Sequence, residues 1–429
     1  MMAKLTLLAL AVPCLAYAGQ PISLSDTGDI KVTAQNQYLY LTSNEYDAGS
    51  YLDQTVWSSA FQLDYNSHYY DDHFGANVSL FGVVGHDYKP GFFTRHILKS
   101  GTDSDGNTIA ENVAKFAEYS LKQKWTLGDT TFKFYEGNKP LLDFGILDSR
   151  GASITLSTYN GLFSEIESPS WLIKSAIINK YEENEEESPV ALETSDGDTI
   201  PYLYTIDSTY KLGNHSFRYY FGESKGYVIR HYGSYSYHPG SSKLTASILY
   251  EHGLSEYKKL SDSSRLHDDD AWQTTLSWDI YLPKTYISLG YAYTSAQRDE
   301  GLGKLDFEVG SVHGNGNIIT HGDSRYLTND GEHVGSILLF HDFTDEYTMG
   351  FDFRYGFGIK YAGNDLDEYE ITWVHCYKPK ALPNLEISLV GALDRGFQRG
   401  FDNTPDLDSH GNTSRGKGGT LITGIKYSF

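Results

Sequence analysis

The amino-acid sequence predicts an all-β chain, a transmembrane antiparallel β-barrel of about 18 strands with long extracellular loops and short periplasmic turns. Three observations support this fold class. Apolar and polar residues alternate with a period of two in segment after segment. These segments run for roughly ten to fifteen residues, whereas soluble strands usually have about five or six. Short turns also alternate with long polar loops. Alternation alone would suit a soluble β-sandwich equally well, so the strand lengths and the connections decide between them.

The start of the chain has the pattern of a signal peptide. Lys4 precedes an apolar run over residues 5–15, and Ala16-Tyr17-Ala18 has the small-x-small form that signal peptidase cleaves. We therefore expect residues 1–18 to be removed and the barrel to occupy residues 19–429.

The two cysteines exclude a disulfide framework. Cys14 offers a lipoprotein alternative, but Pro13 stands where a lipobox has a small residue. After cleavage Cys376 is the only cysteine, and one thiol makes neither an internal disulfide nor a cysteine-built zinc site.

The composition favours long strands and excludes nucleic acid as a partner. After the signal peptide no apolar stretch approaches the roughly 18 to 20 residues that a spanning helix needs. The 35 Tyr, 21 Phe and 42 Gly, beside 12 Pro and 3 Met, suit strands with aromatic girdles. Phosphate binding needs clustered cations, and the formal net charge is -22. No cofactor is predicted.

The clearest strand is Tyr347–Tyr361, in which aromatic and aliphatic residues occupy one face while glycine and charged residues occupy the other. The last strand shows the same pattern, because Leu421, Thr423, Ile425, Tyr427 and Phe429 share one face. A final strand ending in Phe resembles the signal by which outer-membrane barrels are recognised for insertion. We therefore expect the barrel-assembly machinery to be a partner.

The connections alternate between short and long. Short turns are predicted at Asp71-Asp72, Gly128-Asp129, His238-Pro239-Gly240 and Thr344-Asp345, and long loops at 87–114 and 295–332. Counting strands between them gives about 18, with ambiguity at residues 164–171 and 217–237. A barrel of this size encloses an aqueous channel.

Residues 137–161 carry a resemblance to a known family. The run contains Pro140, Leu142, Asp148-x-Arg150 and Thr158-Tyr159-Asn160-Gly161. It is similar to the third-loop region of the OprD-type substrate-specific porins of the outer membrane. A second, weaker match to the chitoporin-like branch runs from Asp323-Ser324-Arg325 to Asn329-Asp330-Gly331-Glu332. The chain departs from the family in having no proline between Arg150 and Gly161.

The resemblance implies that the third loop, about residues 138–158, folds into the lumen and forms a constriction opposite a ladder of basic residues. The loop candidates are Asp143, Asp148 and Arg150. Strand parity supplies the inward-facing wall candidates, which are Lys122, Lys124, Lys133, Arg218, Arg230, Arg354, Lys360, Glu118, Asp279 and Asp352, with Lys211, Lys426, Asp207 and Glu370 beside them. The alternative for each is that it merely solvates the lumen.

The function implied is passive, substrate-selective diffusion of small hydrophilic solutes through the bacterial outer membrane, with lipid and lipopolysaccharide as surroundings. Inward tyrosines such as Tyr135, Tyr220 and Tyr281 slightly favour (chito)oligosaccharides as the expected solutes. The alternatives are a general porin or one selective for amino acids or carboxylates, an outer-membrane lipase or protease, and a soluble carbohydrate-binding protein. No local motif, His321-Gly-Asp323-Ser324 included, is diagnostic of an enzyme.

The remaining motifs give weaker signals. Residues 103–107 resemble part of a calcium loop, but Glu111 falls short of the EF-hand spacing. The acidic runs 182–187 and 267–270 are predicted to be solvated outer-loop faces, with divalent cations bridging them to lipopolysaccharide as the alternative. His313, His321 and His333 fit no compact metal site, so no metal is predicted.

Overall fold

The computed structural model of the chain describes residues 22–23, 27–45, 52–89, 91, 98–149, 154, 156–312, 314–316, 319–322, 325–400 and 402–429. The predicted signal peptide lies outside the described residues, as do Arg150, His313 and the Asp323-Ser324 pair.

Eighteen long strands form the wall. They are β1 (Gly28–Ser43), β2 (Leu52–Ser67), β3 (Phe74–Lys89), β4 (Val113–Leu127), β5 (Thr130–Lys139), β6 (Thr158–Glu167), β7 (Trp171–Glu182), β8 (Leu203–Leu212), β9 (His215–Ser224), β10 (Val228–Tyr237), β11 (Ser242–Gly253), β12 (Asp270–Tyr281), β13 (Thr285–Ser295), β14 (His333–Asp342), β15 (Tyr347–Tyr361), β16 (Asn364–Tyr377), β17 (Leu385–Phe397) and β18 (Arg415–Ser428).

The sheet closes on itself. Each strand pairs antiparallel with its neighbours in the chain, and β1 pairs with β18 in a continuous register from Thr33 opposite Ser428 to Ser43 opposite Gly418. Closure satisfies the backbone groups that an open edge would leave unpaired. The predicted fold class, an antiparallel barrel of 18 strands, is confirmed.

The connections divide the barrel into a turn end and a loop end. All four predicted short turns lie at the turn end, within the connections 68–73, 128–129, 238–241 and 343–346. Long loops lie at the opposite end and include residues 90–112, 140–157 and 296–332. The connections 225–227 and 362–363 at the loop end are also short, so the alternation in length is not strict.

Small elements decorate the loop end. Ser100–Thr102 pairs with Thr108–Ala110, and Val190–Glu193 pairs with Thr199–Ile200, while a single 3₁₀ turn spans Tyr257–Lys259. At the turn end, the strand Ile22–Ser23 pairs with the start of β1. Within the described ranges no helix has the length and apolar character needed to cross a membrane.

The outer face is apolar, as the alternation predicts. Phe61 on β2, Leu121 on β4 and Leu276 on β12 are exposed there, and Ile425 and Phe429 are exposed at the end of the chain. The side chains that alternate with them point into the barrel.

The predicted inward orientation of Lys360 is wrong. A β-bulge on β15 between Gly356 and Ile359 inserts Gly358, whose φ is +88°. Residues with a Cβ rarely adopt that conformation, and the extra residue reverses the alternation beyond it. Ile359 therefore turns inward and becomes buried, while Lys360 points out at the rim with its side chain 74% exposed, beside Asp365.

A second bulge has the opposite effect. On β4 the register passes from Phe116 to Glu118 opposite the adjacent Leu80 and Ser79, so Ala117 is the extra residue. Parity counted back from Lys122 places Lys115 outward, yet the bulge turns it inward, where it is buried.

Two of the loops that contact the inner face of the wall also contact each other. The third loop (residues 140–157) and the seventh loop (residues 296–332) share one buried apolar cluster, which includes Ile146 and Leu147 of the former and Phe307 and Val309 of the latter. Wall residues such as Leu203 belong to the same cluster. The seventh loop was expected to be a polar outer loop, so its inward apolar residues are a correction to that expectation.

Candidate functional site

A bidentate ion pair faces the lumen from two neighbouring strands. Asp207 on β8 and Arg218 on β9 lie on the inner face, next to Ile206 and Phe217, which are exposed on the outer face. Arg218 donates Nε to Asp207 Oδ1 at 3.0 Å and Nη2 to Asp207 Oδ2 at 2.6 Å. The planar guanidinium matches the carboxylate edge, which fixes the orientation of both groups.

The third loop adds Asp143 to this pair. Arg218 Nη2 lies 2.8 Å from Asp143 Oδ1, and Nη1 donates to Oδ2 at 3.1 Å. Lys174 of β7 donates Nζ to the Asp143 carbonyl oxygen at 2.9 Å. Asn315 of the seventh loop donates Nδ2 to Asp143 Oδ1 at 2.7 Å. One carboxylate thus joins both loops to the wall.

The charge state of Asp143 follows from these contacts. Burial raises the pKa of its carboxyl, but the Arg218 charge and hydrogen bonds from Arg218 and Asn315 outweigh burial, so the pKa is lowered from 3.8. Asp143 is therefore ionised at neutral pH. Its side chain is 30% exposed and that of Arg218 is 22% exposed, so both remain reachable from the lumen.

Local structure in the third loop sets the position of Asp143. Asp143 has φ +49°, a left-handed conformation that Asp tolerates better than most residues. Its N–H donates to Asp148 Oδ1 at 3.0 Å, and the Tyr159 hydroxyl donates to the Asp148 carbonyl oxygen at 2.9 Å. Asp148 is buried and shapes the loop, whereas Asp143 reaches the wall. Gly145 follows with φ +64°, and a Cβ there would lie 2.2 Å from Thr205 Oγ1, so glycine permits the close approach.

Backbone contacts join the two inward loops. Leu147 and Gly314 form an isolated β-bridge, and the Asn315 N–H donates to the Ile146 carbonyl oxygen at 3.1 Å. These contacts hold Asn315 beside Asp143. A sequence pattern within one loop does not indicate such pairing between loops.

Two predicted cations and Lys139 lie along β4 and β5, around two tyrosines. The ammonium groups of Lys122 and Lys124 lie 4.8 Å and 4.6 Å from the centre of the Tyr69 ring. Lys139, which parity reading omitted, lies 3.7 Å from the centre of the Tyr135 ring. Cations at these distances are attracted to the negative ring face. They form a basic strip along β4 and β5.

Lys133 belongs to the same strip but has acidic neighbours. Its Nζ lies 3.4 Å from Glu167 Oε2 and 4.0 Å from Glu165 Oε2. Because all three side chains are at least partly exposed, these pairs stabilise the fold little and leave the charges open to solutes.

Two predicted wall arginines face inward but are covered. Arg230 is fully buried, because it donates Nε to Glu251 at 2.8 Å and Nη1 and Nη2 to the Phe307 and Asp306 carbonyl oxygens, each at 2.9 Å. Arg230 therefore anchors the seventh loop to β10.

Arg354 is buried between Asp352 at 2.5 Å and Glu370 at 3.3 Å, with Gly322 of the seventh loop packed against Glu370. Neither Arg230 nor Arg354 presents a free charge to a solute.

The other inward acids have polar partners on the wall. Glu118 accepts hydrogen bonds from Asn77 at 3.0 Å and Ser120 at 3.1 Å. Asp279 accepts one from the Tyr286 hydroxyl at 2.9 Å. Their inward orientation agrees with strand parity.

The second sequence motif forms a buried ionic cluster at the loop end. Arg325 contacts Glu45, Glu368 and Asp394. Arg399 lies 3.0 Å from Glu368. The motif residues therefore fasten the seventh loop to the first and last parts of the wall.

Glu332 completes this cluster. Its Oε2 accepts hydrogen bonds from the Asn329 N–H at 2.8 Å and the Asn329 amide at 2.9 Å. Burial raises the pKa of the Glu332 carboxyl well above 4.5, and the neighbouring Glu368 charge raises it further. Both effects favour the neutral form of the Glu332 carboxyl.

The acidic runs at the loop end are only partly solvated, which corrects the sequence prediction. Glu182 is buried, and one of its oxygens lies 3.1 Å from the buried Lys115 Nζ. His267 is also buried, with Nε2 at 3.0 Å from Glu251. Lys115 was missed because the bulge changes parity, and only recognition of the bulge could have found it.

The calcium-like residues form a hairpin turn. Asp103 Oδ1 accepts the N–H groups of Asp105 at 2.9 Å and Asn107 at 2.8 Å, while Oδ2 accepts the Asn107 amide at 3.0 Å. Local hydrogen bonds of this kind explain the sequence pattern without an ion. Over the described part of the chain, no three His, Cys, Asp or Glu side chains are grouped to hold a metal.

Comparison with known proteins places the fold among outer-membrane barrels. No protein-family model and no curated protein matches the sequence. Solved structures do match in fold. Acinetobacter baumannii OccAB4 has 17% identity and a TM-score of 0.67, with 95% of this chain and all of that chain covered.

Two Pseudomonas aeruginosa proteins match similarly. OccK9 (OpdG) has 15% identity and a TM-score of 0.68, with 93% of this chain and 98% of that chain covered. The outer membrane protein OpdK has 12% identity and a TM-score of 0.66, with coverages of 94% and 99%, and OpdK has also been solved with vanillate. At these identities the likeness is one of fold, and it does not distinguish a chitoporin-like branch.

Proposed function

We propose that this chain is an outer-membrane channel through which small hydrophilic solutes diffuse passively, with a constriction formed by the third loop. The observation that carries the proposal is the contact of Asp143 with Arg218, which also pairs with Asp207, inside a closed 18-strand barrel. Strand side chains alone do not fill a barrel of this width, so an inserted loop is what narrows it.

The charges at the constriction suit selection among polar solutes. Asp143 and Arg218 keep part of their surface open, and Lys174 approaches the same loop. Opposite charges facing a narrow passage orient dipolar solutes and replace part of their hydration. Contacts of a solute with these few partly exposed charges are weak, so the solute enters and leaves without an energy source.

Short neutral oligosaccharides are the first candidate solutes. Tyr281, which is 40% exposed on the inner wall, supports them, because a ring face packs against the apolar face of a sugar. A second candidate is a carboxylate-bearing solute, which the partly exposed cations of the basic strip, Lys124 and Lys139, favour. The vanillate seen with OpdK, a protein of the same fold, belongs to this class.

Planar-bilayer recording of the purified chain tests the channel. We expect stepwise conductance with ohmic open states. A chain that binds lipid but never produces steps would refute the proposal. Liposome swelling with neutral sugars and with benzoate of matched size then ranks the two solute classes, since faster benzoate entry selects the second.

A further inference from the structure

A cavity of about 340 Å³ opens into the turn end of the lumen on strands β12–β16. The Asp143 cluster lies on β8 and β9, so the cavity is a separate part of the wall. Its size is at the lower end of the range for small-molecule sites, which is about 300 to 1,000 Å³. It suits one ring-sized solute.

The floor of the cavity is aromatic and apolar. Tyr281 and Tyr286 place their ring centres 5.5 Å apart at 35° to each other. Phe340, Val374 and Cys376 lie beside them and are buried against a larger apolar cluster on the inner face. The Tyr286 hydroxyl bonds to Asp279 at 2.9 Å, which fixes its ring.

Tyr281 is the accessible part of this floor. Its side chain points inward by parity with Asp279, yet 40% of the residue is exposed. An exposed ring face on an inner wall offers a platform for the C–H groups of an apolar surface.

The rim carries hydrogen-bonding groups of both signs. Asp342, Glu346 and Lys284 line it, and Asp342 Oδ1 already accepts the Thr348 hydroxyl at 2.6 Å. A carboxylate has about four acceptor sites and an ammonium has three donors, so each retains bonding capacity.

The rim has no strong excess of either charge. Asp345 lies 2.7 Å from Lys380, and Lys378 lies 3.2 Å from Glu386, so these charges are already paired. An anion would meet Asp342 and Glu346, and a cation would meet Lys284. A neutral ring with hydroxyl groups at its edge and one apolar face avoids both conflicts.

We infer that this cavity is a binding subsite for a single neutral sugar ring, stacked on Tyr281 and hydrogen-bonded by Asp342 and Lys284. The inference rests on the proposed channel function and names a solute class for it. A solute leaving the constriction toward the turn end meets this subsite next.

Solute-induced block of single channels tests the subsite. Glucose, N-acetylglucosamine and benzoate serve as probes, and the half-blocking concentration is measured for each variant. Tyr281→Ala should raise the half-blocking concentration of the sugars by about threefold to tenfold. Tyr281→Phe keeps the ring, so its half-blocking concentration should stay within twofold of the wild type. Asp342→Asn tests the rim independently and should raise the value about threefold.

The matched control is Tyr235→Ala. Tyr235 is also a tyrosine with 40% of the residue exposed, but it lies on the outer face of β10 beside His215. Its removal should leave sugar block unchanged.

The outcomes separate the two proposals. If no variant or wild-type protein conducts, the channel function itself fails. If the wild type conducts but neither sugar blocks it, or if Tyr281→Ala and Asp342→Asn behave like Tyr235→Ala, the subsite is wrong. If benzoate blocks more strongly than sugar and loses its block in Tyr281→Ala, the solute is an anion and the neutral-sugar assignment is overturned.

Discussion

Replacing Arg218 with methionine should release the third loop from the wall. The substitution keeps much of the side-chain volume while removing all four short contacts to Asp207 and Asp143, which range from 2.6 to 3.1 Å. Asp207, only 4% exposed at its side chain, is then left without its cation.

The size of the effect follows from burial. Removing one partner of a fully buried ion pair costs about 3 to 5 kcal/mol, and an exposed pair is worth about 0 to 1 kcal/mol. Asp207 is buried while Asp143 and Arg218 are partly exposed, so we expect Arg218→Met to lower the stability by about 2 to 3 kcal/mol in total. The Asp143 half accounts for about 1.4 kcal/mol, a tenfold fall in the ratio of docked to undocked loop.

Single-channel recording measures this ratio through the frequency and duration of current fluctuations in the open state. Arg218→Lys keeps the charge without the bidentate fork and should give an intermediate result. The effects of Arg218→Met and Asp143→Asn on loop docking should be less than additive in the double variant, because both substitutions break the same contact. If Arg218→Met leaves fluctuations and conductance within twofold of the wild type, this pair does not hold the loop.

Three further predictions follow from the charges. Because the pKa of Asp143 is lowered from 3.8, its contribution to loop docking is present at higher pH and is lost as the pH falls through the shifted pKa. Conductance should therefore be constant down to about pH 4 and change only below it. Asp143→Asn should abolish that transition. Glu332→Gln should change the unfolding midpoint in detergent little, because the raised pKa favours the neutral form that glutamine resembles. Glu368→Gln breaks buried pairs with two arginines and should cost about 3 to 5 kcal/mol of stability, and equal losses for the two variants would contradict the raised pKa of Glu332. Lys133→Ser should shift the reversal potential in a salt gradient toward cation selectivity, and Lys360→Ser at the rim should not. If only Lys360→Ser shifted the reversal potential, the bulge on β15 would be assigned wrongly.

The fold was largely predictable because its signals are local. Alternation along Tyr347–Tyr361 and turn residues such as Gly128-Asp129 act over a few positions, and they determine strands and their connections. The third loop was expected at about 138–158 and lies between β5 and β6 at 140–157. The inward orientation of Arg218 and Asp279 follows from the same parity.

Parity fails where a strand gains one residue. Gly358 and Ala117 are such insertions, and each reverses the face of the residues beyond it, so Lys360 leaves the lumen and Lys115 enters it. A glycine with positive φ marks the first bulge, but many glycines in this chain mark nothing of the kind. The backbone conformation is set by the neighbouring strand, which the local sequence does not reveal.

Contacts between loops explain the remaining differences. Arg230 has the parity of a lumen cation, and only the path of the seventh loop, whose carbonyl oxygens surround its guanidinium, removes it from the passage. Leu147 and Gly314 form a bridge although more than 150 residues separate them, about the length of a small domain. In a wide barrel the free volume inside the wall admits loops that sequence periodicity assigns to the exterior. The charges that remain open to solutes are therefore those that the two loops leave uncovered, and Asp143 is one of them because the third loop itself carries it to the wall.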